Sequence, residues 1–236
     1  AVMEEYADLA ALGTVADVVP VLGENRAIVK AGLAILTRGG RAGVDALMEQ
    51  SGVGGKAATA TSLAFTVIPR INATGRMGAP ERAVRLLTCE TQEEAEPLSA
   101  EICEDNDHRR EVEAQIAKEA MEKIEQDPAL LYSRVIVVDG EGWHHGVIGI
   151  VASRITERFG KPCMVISTDG QMAKGSGRSV EGFSLFEAIC ACGDLMERYG
   201  GHPMAAGITL PAENVPLFRE RINQYAAQVC REMPAP

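Results

Sequence analysis

The chain has 236 residues, 46% hydrophobic and 24% charged, with 24 Gly, 11 Pro and a formal net charge of −10. That composition excludes collagenous and low-complexity chains, and no apolar run reaches the roughly 18–20 residues of a membrane span, so no membrane partner is expected. The acidic balance argues against a basic surface over the whole chain. However, Thr88–Pro128 alone holds 14 acidic and 4 basic residues, so the rest is neutral, and Arg70–Arg85 sets four Arg against Glu81.

The opening AVMEEYAD lacks the pattern of a secretory leader. Residues 9–22, LAALGTVADVVPVL, are apolar around Asp17 and read as the end of a buried strand. Glu24–Leu36 has helical spacing and should stop at Gly39-Gly40. Val44–Gln50 reads as a short helix and Ala60–Ile68 as a buried one. Pro69 with Gly75, Gly78 and Pro80 predicts a loop, and Pro80 should open a helix over Glu81–Leu87.

Thr91–Asp127 is the longest periodic segment. Thr91 and Glu94 form a capping-box pattern, and Ala95, Leu98 and Ile102 make a thin stripe that Val112, Ile116, Ala120 and Ile124 resume. The spacing predicts one connector helix of about 35 residues.

From Arg134 the pattern changes. Val135–Val138 and Met164–Ser167 read as buried strands, with the helix Val147–Phe159 between them. Gln171–Ser179 reads as a strand ending in SGRS, Ser184–Arg198 as mostly helix, Met204–Leu210 as a strand and Asn214–Val229 as a closing helix. Strands alternating with helices define an α/β fold, and Arg134–Arg231 should fold independently. The six Cys form no C-x-x-C pair, which points to free thiols in a reducing cytoplasm.

Five strings could carry chemistry. Asp17 lies among apolar neighbours, either as a turn residue before Pro20 or as a metal ligand. PRINATGR offers Asn72 with Arg70 and Arg76, whose guanidinium forks suit phosphate oxygens, or which are surface arginines on a loop. WHHG places His144 between a strand and a helix, where α/β folds hold ligands. GSGRS offers Ser176, Arg178 and flexible backbone to a phosphate, or makes a β-turn. GGHPMAAG joins His202 to residues without bulk, or turns the chain into a strand.

In this order ALGTVADVVP, PRINATGRM, NDHRRE, GWHHGVIGIVASR, SGRS and GGHPMAAG resemble the DHH phosphoesterase superfamily. Within it they are most similar to the RecJ family of bacterial 5′→3′ single-strand-specific exonucleases. The resemblance implies an α/β fold in three parts. Residues 1–87 would be the remnant of a parallel-sheet DHH catalytic domain, 88–132 the connector helix, and 133–236 a smaller mixed-sheet DHH-associated domain that binds substrate.

It further implies Mn2+ or Mg2+ in a two-ion site with Asp17 as one catalytic ligand. One ion would generate hydroxide and the pair would stabilise the in-line transition state of phosphodiester hydrolysis. Arg76, Ser176, Arg178 and His202 would bind single-stranded DNA with a 5′ phosphate, with Arg70, Asn72 and His144 in the same cleft. DNA repair and recombination, a single-strand-binding protein and a helicase come with the family.

The family's Asp-x-Asp and Asp-His-His motifs are missing before Asp17, so the chain reads as an internal or carboxy-terminal fragment, expected to be inactive alone. Two alternatives are a related phosphoesterase for short RNA or cyclic dinucleotides, and a non-catalytic nucleic-acid-binding module.

Overall fold

The computed structural model describes residues 2–230, and side chains from residue 5 onward. Residues 231–236, which close the expected third part, lie outside the described residues. The chain divides into two compact units, Ala1–Arg110 and Glu111–Pro236.

The secondary-structure elements among the first unit's described residues are all helical, beginning with α1 Val2–Ala16, α2 Gly23–Arg38, α3 Ala42–Gln50, α4 Ala60–Ser62, α5 Ile68–Met77 and α6 Pro80–Thr88. The strand expected within residues 9–22 is therefore a helix up to Ala16. A continuous apolar run carries no period to separate the two, and the run Leu9–Leu12 is Leu-Ala-Ala-Leu, made of strong helix formers. Ala7, Ala11 and Leu12 are buried, and a Cβ at Gly32 of α2 would stand 2.3 Å from the Ala11 Cβ and the Ala7 carbonyl oxygen. The two helices therefore cross at contact distance over that glycine. Buried Asp8 accepts from Arg41 Nε at 2.6 Å, which compensates its desolvation.

The loop expected around Pro69 is also a helix. Leu63–Val67 forms one π-turn, and the Ile68 N–H reaches the Leu63 carbonyl. That wider turn lies just before Pro69, which occupies the first turn of α5 and has no N–H to give. Gly78, at φ 91°, ends the helix. Leu47, Leu63, Val67, Ile68, Leu86, Leu98 and Ile102 lie in the core of this unit.

The helix α7, Gln92–Gln126, has 35 residues. Its Ala95, Leu98 and Ile102 are buried in the first unit, and Ile116, Ala120 and Ile124 in the second. Arg82 of α6 grips Asp105 of α7 with one nitrogen at 2.8 and 2.9 Å from the two carboxylate oxygens.

After the short α8, Pro128–Leu131, the second unit builds a five-stranded sheet in the order β1-β2-β3-β5-β4. The strands are β1 Ile136–Glu141, β2 Cys163–Asp169, β3 Met172–Arg178, β4 Arg198–His202 and β5 Ala205–Pro211. The pair β1–β2 is parallel and is crossed over by α9, Ile148–Phe159; the other pairs are antiparallel. The helix expected to run to Arg198 is short, α10 Leu185–Cys190, followed by a 3-10 turn. The chain closes with α11, Val215–Val229.

One sheet face carries Met164, Ile166, Ala173, Ala206, Ile208 and Leu210 into a core with Leu185 and Ile189 of α10 and Phe218 and Ile222 of α11. The outer edge of β1 is closed by α11. Asn223 Oδ1 accepts from the Arg134 and Val135 N–H groups at 2.9 and 3.0 Å, and Arg219 Nε donates to the Val137 carbonyl at 2.9 Å. At the other edge every residue of β4 is exposed.

Candidate nucleic-acid interface

In the second unit, residue alternation decides which side chains meet. Lys174, Ser176 and Arg178 share one face of β3 because side chains alternate along a strand. Across the sheet Lys174 pairs with Thr209, Ser176 with Gly207 and Arg178 with Ala205. One strand further, Thr209 pairs with Arg198, Gly207 with Gly200 and Ala205 with His202. Three rows result on the face opposite the α10–α11 core. Arg178 and His202 end one row, about 10 Å apart at two strand spacings.

The other half of this face, over β2 and β3, is packed by α9. Beside it lies an open cleft of about 430 Å3, lined by His145, Ile148, Lys174, Ser176, Arg198, Gly200, Gly207 and Thr209 among others, with no Asp or Glu. Its floor is made of small residues. A Cβ at Gly200 would meet nothing within 4 Å, and one at Gly207 only the Gly175 carbonyl oxygen at 3.7 Å. Neither has a positive φ, so neither backbone conformation nor internal packing demands glycine. Bare backbone there leaves room for the close approach of another group.

The first turn of α9 meets the same face. A Cβ at Gly149 would stand 2.9 Å from Ser176 Oγ and 3.4 Å from Arg178 Nη2, so the bare glycine lets the helix sit directly over both side chains. Arg178 Nη1 donates to the Gly177 carbonyl at 2.8 Å, which fixes the guanidinium plane. Of the histidine pair, His145 lines the cleft. His144 Nδ1 accepts from the Gly146 N–H at 3.2 Å, and the two rings stack with centroids 5.3 Å apart.

The structure thus brings Ser176, Arg178 and His202 to one face as strand residues. The GSGRS string is strand rather than turn up to Arg178, and GGH is the edge strand itself. Lys174, Arg198, Thr209 and His145 are additional. The alternation Lys174-Gly-Ser176-Gly-Arg178 was a readable signal for the first of these. Arg198 was hidden by the expected helix.

In the first unit, Asp17, Asn72 and Arg76 line one hollow of about 420 Å3 with Gly13 and Ala16. Asn72 and Arg76 are four residues apart on α5 and therefore share a face. Arg70, two residues earlier, points elsewhere: its Nη1 donates to the Thr66 carbonyl one turn back, at 2.5 Å. Asp17 is exposed in the turn after α1, before Val18 at φ 55°, a value unusual for a β-branched residue.

Asp17 is the sole carboxylate lining this hollow, and among the described residues no group of three His, Cys, Asp or Glu side chains is placed to hold a metal ion. A two-ion site needs several such donors, so these residues by themselves do not fit one.

Residues 127–228 match the DHHA1 domain family. The match takes in α8 and all five strands of the α/β unit, which is thus similar to a DHHA1 domain. The chain as a whole is homologous to the RecJ single-stranded-DNA-specific exonucleases. It is 44% identical over 231 residues to the Bacillus subtilis protein of that name, across 97% of this chain and 29% of that one. It superposes on the crystal structure of Thermus thermophilus RecJ in complex with Mg2+ with a TM-score of 0.87 at 38% identity, covering 98% of this chain and 35% of that one. For the Mn2+ complex of the same protein the TM-score is 0.86 at 39% identity, covering 98% and 33%. The chain spans about a third of the length of these relatives. Among the described residues no helix is long and apolar enough to cross a membrane.

Proposed function

We propose that this chain is the strand-binding part of a RecJ-type 5′→3′ exonuclease, and that the bare face of its DHHA1 sheet holds single-stranded DNA by its 5′ phosphate. The observation that carries the reading is the glycine floor. Gly200 and Gly207 have no structural need to be glycine, and they lie between Arg198, Lys174, Arg178 and His202 in a cleft free of acidic side chains. Backbone phosphates need cations and close approach, and this face offers both.

In this reading residues 1–87 are the end of a DHH catalytic domain, 88–132 the connector and 133–236 the substrate-binding domain. Arg178 and Ser176 take the terminal phosphate, and His202 and Arg198 take the strand. Asn72 and Arg76 hold a further phosphate beside Asp17. Arg70 and His144 act through their neighbours. Asp17 contributes one ligand to the Mn2+ or Mg2+ pair, which requires further carboxylates and imidazoles. For this polypeptide by itself the activity is binding. The six unpaired thiols suit a cytoplasmic setting.

The test is a titration at low salt, where charge contacts are least screened, of a 5′-phosphorylated oligonucleotide against its 5′-hydroxyl twin. A charge-assisted contact contributes about 1.5–3 kcal/mol, so the phosphorylated strand should bind about ten-fold tighter or more. Arg178→Ala should erase the difference. Equal binding of the two strands by the unaltered chain would refute the phosphate grip.

A further inference from the structure

Trp143 is the sole tryptophan of the chain. It is 5% exposed, yet it belongs to neither hydrophobic core. Three contacts, from α7 and β1, hold it instead. Its indole N–H donates to Glu119 Oε2 of α7 at 2.8 Å. The Lys123 ammonium lies 5.3 Å from the ring centroid and donates to the Asp139 carbonyl of β1 at 2.7 Å. The ring itself rests against Gly140, where a Cβ would fall 2.1 Å from a ring carbon. Glu119 is held in turn by Gln115 Nε2 at 3.1 Å. The indole N–H, with Gln115 and Lys123 assisting, keeps the Glu119 carboxyl below its ordinary pKa.

The two residues after Trp143 lead into the cleft, which His145 lines. The His144 carbonyl accepts from the Val147 and Ile148 N–H groups at 2.9 and 3.2 Å, and so starts α9. His145 and Ile148 line the cleft, and Gly149 sits on Ser176 and Arg178. A pure filler would need only the ring. The hydrogen bond to a helix outside the sheet, and the glycine cut away beneath the ring, fix the indole in both rotation and depth.

We infer that Trp143 is a positioning residue: through its bond to Glu119 and its seat on Gly140, it sets the place of the His144–His145 loop and the start of α9 at the strand-binding cleft. This rests on the proposed function for its consequence, weaker strand binding, but not for the placement itself.

The full chain is compared with Glu119→Ala, Glu119→Gln and Trp143→Phe. Affinity is read from the anisotropy of a 3′-labelled, 5′-phosphorylated single-stranded oligonucleotide, and placement from the ring signals of His144 and His145 in NMR. With four histidines in the chain these signals are assignable by substitution. Trp143 emission reports the environment of the indole in the two Glu119 variants.

Glu119→Ala should red-shift the emission, move both histidine signals and weaken binding about ten-fold, the scale of one misaligned hydrogen bond. Glu119→Gln keeps an acceptor and should return binding to within about two-fold. Trp143→Phe, which removes the emission itself, should move the histidine signals and weaken binding as Glu119→Ala does, and it carries the test if that variant does not fold. Unmoved histidine signals, or moved signals with unchanged affinity, overturn the inference. If the unaltered chain binds no strand, the proposed function fails, and the histidine signals alone decide the positioning: moved signals support it and unmoved ones end it.

Discussion

Gly200 and Gly201 are neighbours on β4, and the structure assigns them opposite fates on substitution. At Gly200 an added Cβ meets nothing within 4 Å and φ is not positive. Replacing a strand glycine there removes unfolded-chain entropy worth about 0.5–1 kcal/mol. For a chain of this size that raises Tm by about 1–4 °C. At Gly201 φ is 147°, and a Cβ would stand 2.4 Å from the Ala205 carbonyl oxygen and 2.5 Å from the Ala206 Cα. Strain of about 1–3 kcal/mol and overpacking of about 1–3 kcal/mol add there, so Gly201→Ala should lower Tm by at least about 4 °C. Binding separates the two further. Gly200→Val leaves the fold intact but fills the cleft floor, and it should weaken oligonucleotide binding about ten-fold or more. Differential scanning fluorimetry and anisotropy read both effects. A Gly200→Val protein that melts normally and binds DNA as before would refute the claim that the glycine floor exists for a ligand.

Two other outcomes concern stability. Asn223 satisfies two N–H groups and, through Nδ2, the Val135 carbonyl at the closed sheet edge; Asn223→Ala should cost about 1–3 kcal/mol in thermal or urea unfolding, and no loss would mean that other groups satisfy that edge. Glu119 has an ordinary pKa of 4.5 that the indole N–H lowers; its bond to Trp143 therefore stabilises above about pH 4.5 and is lost as the pH falls through the lower folded value. The Tm gap between the unaltered chain and Trp143→Phe should be steady from pH 7 to about 5 and shrink below about 4.5, whereas a gap unchanged into strong acid would contradict the bond's part in it.

The α/β alternation after Arg134 was legible because β-branched runs and an amphipathic helix differ in period. The α7 stripe was legible for the same reason, and its burial switches between the two units where the polar run EDNDHRRE interrupts it. The helix α1 was not legible, since uniform apolarity fits helix and strand alike. Helix α5 was hidden by Pro69 and two glycines, and the π-turn that accommodates the proline has no sequence signature. Strand β4 was hidden because Arg-Tyr-Gly-Gly-His has few β-formers and buries nothing; its partner β5 holds it in the sheet. At the site, motif residues Ser176, Arg178 and His202 could be named singly. Their meeting on one face depended on two antiparallel registers that only the fold supplies.

The central claim is the location of the strand, and amide chemical shifts test it most directly. A 5′-phosphorylated single-stranded oligonucleotide titrated into the isotopically labelled chain should move the signals of Ser176, Arg178, Gly200 and Gly207. The amides of α10 and α11, behind the opposite sheet face, should hold still. Shifts gathered on α10 and α11, with Gly200 and Gly207 unmoved, would contradict the account.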